Sequence, residues 1–165
     1  MAAFYGENQE YAQVAGLLHD WDKNYSDTEL IERAKAYGIP LPSDPRNLVS
    51  LLHAQTGAYA VKEEYPELPE EIIQAIARHT SAATDMSALD MIIYIADMIE
   101  PLRSAPNLMH LRSLAGSIDL EELFIKCYRE TLEHLIRRQR YIHPDSVEVW
   151  NAYAAKEREP ERIKN

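Results

Sequence analysis

The sequence predicts an all-α chain, on two observations. Apolar residues recur at the helical period over long stretches, and only 5 of the 165 residues are glycine, thinly spread. No β-type alternation of useful length and no internal repeat interrupts that pattern.

The elements follow in order. Residues 8–18 read as a helix of small and apolar residues that ends at His19-Asp20. Ser26-Asp27-Thr28-Glu29 has the spacing of a capping box and opens a helix through Leu30, Ile31, Ala34 and Tyr37, with Gly38 as its stop. Three prolines make residues 39–47 a loop. An amphipathic helix over 47–64 carries His53. Pro69 in the first turn, followed by Glu70 and Glu71 at the positive helix end, starts a helix that runs to His79. Residues 87–100 form a strongly apolar helix closed by Pro101. Asp119 caps a long helix to about residue 140, and the chain ends in a solvated stretch, KEREPERIKN.

Composition excludes several classes. The formal charge of −10 argues against a nucleic-acid polymer or an anionic membrane as partner, though a few local bases or a metal can still hold a small phosphorylated ligand. A single cysteine, Cys127, excludes a disulfide framework and a thiolate zinc cluster, and reads as a small buried apolar residue. No apolar run is long enough to span a bilayer and no secretion signal is visible, so a reduced, cytoplasmic, soluble protein is the default expectation.

Five side chains sit where apolar patterns give way to polar ones. His19-Asp20 follows Val14-Ala15-Gly16-Leu17-Leu18, His53 follows Leu51-Leu52, His79 ends IIQAIARH, and Asp97 lies inside IIYIADMIE. A buried carboxylate is costly unless paired or coordinated. Singly, each has an ordinary reading: a hydrogen-bonded core histidine, or an Asp97 paired with Arg103. Together they point to a metal site of imidazole and carboxylate ligands, a donor set that suits iron, manganese or zinc. Lys23, one turn after Asp20, is placed to hold an anion there, or is a plain exposed lysine. His110 and His134 read as surface or packing residues, and Asp90 as a helix cap. His143 precedes Pro144 in a loop able to close over a site. Arg137-Arg138-Gln139-Arg140 reads as a solvated helix end, with Arg140 also able to face a phosphate. No nucleophile elbow, P-loop or dinucleotide fingerprint competes.

LLHD-x-x-K, then LLH, then AIARHTS, then MSALDMIIYIADMIEPLR resembles the HD-domain phosphohydrolases. Within them it looks most like the YqeK family, the symmetrical bis(5′-nucleosyl)-tetraphosphatases. The AGLLHD and HT-x-x-x-x-x-MS…YIAD-x-IEP-x-R segments are specific, whereas a bare His-Asp pair is not. The resemblance implies an HD-domain helical bundle over residues 1–153 with a loose tail at 154–165. It implies a metal-dependent hydrolase that cleaves diadenosine tetraphosphate symmetrically to two ADP by metal-activated water. His19, Asp20 and Asp97 match the family's iron ligands, with manganese or another divalent metal as substitutes, and Asp20 and Lys23 match catalytic positions. Lys23, His53, Ala54, Gln55, Thr56, His79 and Arg103 match residues that line the phosphates. Arg140, Tyr141, Ile142, His143, Pro144 and Asp145 match a segment near the nucleotide. His53 and His79 alternatively hold a second metal.

The sequence departs from the family in two places. The family has a further ligating histidine on a helix well before the His-Asp pair, whereas His19 is the first histidine here, with 18 residues before it. Water or a neighbouring subunit of a homodimer would then complete the coordination, at some cost in metal affinity and activity. The second departure is Ala82-Ala83, where the family often has glycine. The departures leave two other readings open: a nucleotide-binding HD protein with little or no turnover, and an HD phosphohydrolase acting on other (deoxy)nucleotides.

Overall fold

The structure, a computed structural model, describes residues 1–42, 44–103 and 106–156. Among these residues every regular element is helical, as the composition predicts. None of the helices is long and apolar enough to cross a membrane.

Local chemistry sets most of the boundaries. After a 3₁₀ turn at Ala2–Tyr5, helix α1 (Gln9–Leu18) starts under Asn8, whose side chain accepts from the Glu10 and Tyr11 amides. Helix α2 (Asp27–Ala36) has the full Ser26/Glu29 capping box. The helix expected over 47–64 is broken. A short α3 (Pro45–Leu48) leads through a 3₁₀ turn at Val49–Leu51 into α4 (Leu52–Glu64). The proline that signals a loop sits here at the first helical position, where its missing N–H costs nothing. Helix α5 (Glu70–Arg78) follows Pro69, which lies just outside the helix, and α6 (Ala88–Met98) has a second capping box, Ser87 with Asp90. Two helices carry no cap signature in the sequence: α7 (Pro106–Leu114) and α9 (Asp145–Lys156). Between them, α8 (Leu120–Arg137) is capped by Asp119. The tail expected from residue 154 falls on the last turn of α9 and otherwise outside the described residues.

Two cores share α6. On one side Ala15 of α1, Ala58 and Val61 of α4 and Ile72, Ala75 and Ile76 of α5 close on Leu89 and Ile93. On the other, Tyr94 and Ile95 meet Leu123, Phe124, Cys127 and Tyr128 of α8 and Val149 and Tyr153 of α9. Asp90, buried, ties α5 to α6. It accepts from Gln74 at 2.9 Å, Arg78 at 3.0 Å and the Ser87 amide at 2.9 Å. Alanines and Gly57 at the first core let the backbones of α1, α4, α5 and α6 approach closely, and that brings the ends of four helices to one point.

Candidate metal centre

The sequence delivers each histidine to the centre by one repeated device. His19 lies just past the end of α1, His53 in the first turn of α4 and His79 just past the end of α5. Each ring bonds through Nδ1 to the carbonyl three residues earlier: His19 to Gly16 at 2.8 Å, His53 to Ser50 at 2.5 Å, His79 to Ile76 at 2.7 Å. A carbonyl only accepts, so each Nδ1 carries the proton and each neutral ring turns a bare Nε2 inward. This is how proteins orient metal-binding imidazoles.

The inward atoms meet around Asp20. Its Oδ1 lies 3.4 Å from His53 Nε2 and 3.6 Å from His79 Nε2, and its Oδ2 lies 3.4 Å from His19 Nε2. The ring of His79 stands edge-on to those of His19 and His53, with centroids 4.9 and 5.0 Å apart. His53 and His79 approach Nε2 to Nε2 at 3.1 Å. With both Nδ1 atoms protonated, that contact sets lone pair against lone pair and needs a proton or a cation between the rings. Asp20 Oδ1 is buried and has no hydrogen-bond partner. An orphaned carboxylate oxygen beside bare imidazole nitrogens fits a cation site, since neither atom type can satisfy the other. One ligand atom each from His19, Asp20 and His79 lie within 4.8 Å of one another. Asp97 faces the same centre from α6, with Oδ1 3.8 Å from His19 Nε2 and 2.8 Å from an Arg103 nitrogen.

Charge and burial set the protonation states. Burial pushes His79 down to about 4, against the pull of its Ile76 hydrogen bond, so the ring is neutral at neutral pH. The Asp97 carboxylate raises His19 above its ordinary value, against the effect of burial. Burial alone would raise both carboxyls. The Lys23 hydrogen bond outweighs it at Asp20, and the His19 hydrogen bond with the Arg103 charge outweighs it at Asp97, so both are held below the usual carboxylate range. Lys23 Nζ donates to Asp20 Oδ2 at 2.6 Å. Each site carboxylate thus has its own flanking cation.

Three cavities adjoin the centre. One of about 310 Å³ is lined by Gly16, His19, Asp20, Asp97 and Glu100. One of about 420 Å³ is lined by Gln55, Ser81, His143, Pro144 and Asp145 among others, and one of about 270 Å³ by Thr80, Ser81, Arg140, Tyr141 and His143. The last two share Leu48, Leu51, Ser81 and His143. Residues 140–145 therefore stand by the cavities next to His53 and His79, with Ile142 half-buried in that segment. Ala54 and Thr56 are buried in α4 and reach none of these cavities. Gln139 turns the chain here: its φ of 52° ends α8 in a left-handed residue, and the Arg140 amide reaches back to the Leu135 carbonyl at 2.9 Å.

Two supports carry no sequence signal of their own. Asp22, buried in the turn after Asp20, takes a two-pronged contact from Arg33 of α2. Arg112 of α7 donates to the carbonyls of Ile99, Glu100 and Arg103, and so shapes the segment from which Arg103 reaches Asp97. Both are long-range pairings of common residue types.

Comparison with known proteins agrees with this geometry. A family model described as HD domain matches residues 1–102. The symmetrical bis(5′-nucleosyl)-tetraphosphatase of Halalkalibacterium halodurans is 35% identical over 92% of this chain and 80% of its own length. That of Bacillus subtilis is 32% identical over the same shares. The crystal structure of a protein described as an HD superfamily hydrolase involved in NAD metabolism, from Clostridium acetobutylicum, superposes with a TM-score of 0.86 at 33% identity, covering 94% of this chain and 82% of that one. The chain belongs to the HD-domain hydrolases, in the group of the symmetrical bis(5′-nucleosyl)-tetraphosphatases.

Proposed function

We propose that the protein hydrolyses diadenosine tetraphosphate at the middle of its phosphate chain, giving two ADP, with a divalent metal, iron by resemblance, at the His19–Asp20 centre. The observation that carries this reading is the orphaned Asp20 Oδ1 facing the bare Nε2 atoms of His53 and His79, with His19 at its other oxygen.

His19, Asp20, His79 and Asp97 would hold the cation, with His53 beside them. A bound divalent ion lowers the pKa of water and polarises phosphoryl oxygens. The chain's own residues supply the rest. Lys23 and Arg103 now neutralise Asp20 and Asp97. A cation shared by those carboxylates frees both side chains to face phosphate oxygens, where they offset the charge of the transition state. The overall reaction adds one water: its oxygen bonds to a central phosphorus, the bridging P–O bond breaks, and ADP leaves. Asp20 is placed to orient the water and to take its proton. The cavities bounded by Gln55, Ser81 and residues 140–145 offer room for a nucleoside beside the phosphates.

The test is product analysis after incubating diadenosine tetraphosphate with protein loaded with iron or manganese. ADP as sole product, lost on chelation and restored by metal, supports the reading. ATP plus AMP contradicts symmetric cleavage, and no product with ADP still bound contradicts turnover. Preferred cleavage of another nucleotide in a substrate panel contradicts the substrate.

A further inference from the structure

The catalytic turn has little intrinsic reason to point where it does. Residues 19–25 are not helical. Three tight turns shape them, with Trp21, Lys23 and Tyr25 amides bonded to the carbonyls three residues earlier at 3.0–3.1 Å. Such bonds fix the local curve of the chain but not its direction relative to α4 and α5, where His53 and His79 stand.

One side chain ties the turn down. Asp22 is fully buried, one residue from Lys23 and two from Asp20. Its carboxylate accepts from Arg33 Nε at 2.8 Å and Nη2 at 3.2 Å, the fork geometry that a lysine cannot reproduce. The guanidinium lies against two rings, with its carbon 4.7 Å from the Tyr25 centroid and 5.6 Å from that of Tyr37. The Tyr37 hydroxyl donates to Glu63 of α4 at 3.0 Å, and its ring stacks on Tyr59 at 5.2 Å. On the other side Gly57 of α4 backs the turn: a Cβ there would stand 3.4 Å from the Asp22 nitrogen and 3.5 Å from Trp21 Cβ. The turn is thus clamped between α2 and α4, and α4 also carries His53.

We propose that the Asp22–Arg33 pair is the positioning device of the metal centre. It holds Asp20 and Lys23 at the distance from His53 and His79 that a shared cation requires. This rests on reading the His19–Asp20 group as a cation site. Neither residue touches the cation or the substrate. A buried ion pair adds little stability over apolar residues of similar size, but it fixes direction, and a site that needs its ligands within a fraction of an ångström depends on direction.

The experiment compares the wild type with Asp22→Asn and Arg33→Lys. Mn²⁺ is titrated into metal-free protein and followed by electron paramagnetic resonance, well below each variant's melting temperature. Turnover of the dinucleotide at saturating Mn²⁺ is measured alongside. Asp22→Asn is expected to weaken Mn²⁺ about tenfold or more, the scale seen when residues that orient metal ligands are lost. Arg33→Lys, which keeps the charge but not the fork, is expected to fall between wild type and Asp22→Asn. If Asp22→Asn does not fold, Arg33→Lys decides alone. Folded variants with lower melting temperatures but wild-type Mn²⁺ affinity overturn the proposal, since a merely structural pair would behave so. The Mn²⁺ titration needs no substrate. A wild type that binds Mn²⁺ but leaves the dinucleotide intact sinks the substrate reading, and the affinity ratio still decides the role of the pair.

Discussion

The two cores on either side of α6 are built for opposite purposes. The first is made of small residues, with Ala15, Ala58 and Ala75 at 2% exposure or less, and it draws four helices together until their ends meet at Asp20. The second is aromatic. Tyr94, Phe124, Tyr128 and Tyr153 pack ring on ring at 4.9–5.9 Å, and none of them faces the metal centre. Large rings bury the most apolar surface per residue, and small residues allow the closest backbone approach. The difference teaches that stability and chemistry are divided in this chain. The aromatic side holds α6 from behind, and the alanine side spends its packing on geometry, leaving a buried carboxylate oxygen without a partner.

Substitutions that respect this division should behave differently on its two sides. The largest effect is expected at Asp20. Asp20→Ala removes the ligand shared by the three imidazoles, and turnover should fall by about 10²–10³-fold or more. The metal-free variant should melt no lower than wild type, because the lost Oδ1 satisfied nothing. A melting temperature well below wild type would show that the oxygen has a partner after all. On the other side, Phe124→Ala should cost about 3–5 kcal/mol in urea unfolding, with turnover per folded molecule close to wild type. A folded Phe124→Ala protein with its Mn²⁺ affinity gone would break the comparison.

Acid should act on the alanine side. His79 is held at about 4 when folded and returns to its ordinary 6.5 when unfolded. Between those values the unfolded chain binds more protons, so the stability this ring contributes is complete above pH 6.5 and is lost as pH falls towards 4. Melting curves should show His79→Gln with a flatter pH dependence over that window, and equal slopes would contradict the burial of a neutral ring. His19 runs the other way, its value raised by Asp97, so protons compete with metal at this ring. Metal affinity should therefore climb as pH rises through and above 6.5.

The smallest effect concerns the bend after His79. Ala82 has φ of 60°, a conformation that costs a residue with a Cβ about 1 kcal/mol. Ala82→Gly should then be neutral or stabilising by up to about 1 kcal/mol, read from chemical unfolding. A clear loss of stability would show that the Ala82 methyl does more by packing against the aromatic core than it costs in backbone strain.

Much of this arrangement was legible in the sequence because its signals are local. Ser26 with Glu29, Ser87 ahead of α6 and Asp119 ahead of α8 mark helix starts within four residues of themselves. His19, Asp20, His53, His79 and Asp97 announced themselves by standing at the ends of, or inside, apolar patterns. What stayed hidden depends on distance in the chain. No pattern pairs Asp22 with Arg33, or Arg112 with carbonyls 9–13 residues away. Helix α9 went unread because it has no cap signature. The left-handed turn that sends the chain towards it uses Gln139 where glycine would have been the signal. Ala54 and Thr56 share a segment with His53 and Gln55, yet helical geometry turns them into the core.

The central claim is that a single cation belongs among the imidazoles and Asp20. Anomalous scattering from crystals grown with Mn²⁺, recorded on both sides of the manganese edge, tests it most directly. The account predicts one strong peak at coordination distance, about 2.0–2.3 Å, from Asp20 and from Nε2 of His19 and His79. Crystals saturated with Mn²⁺ that show no peak there, or show the rings turned away from Asp20, would contradict it.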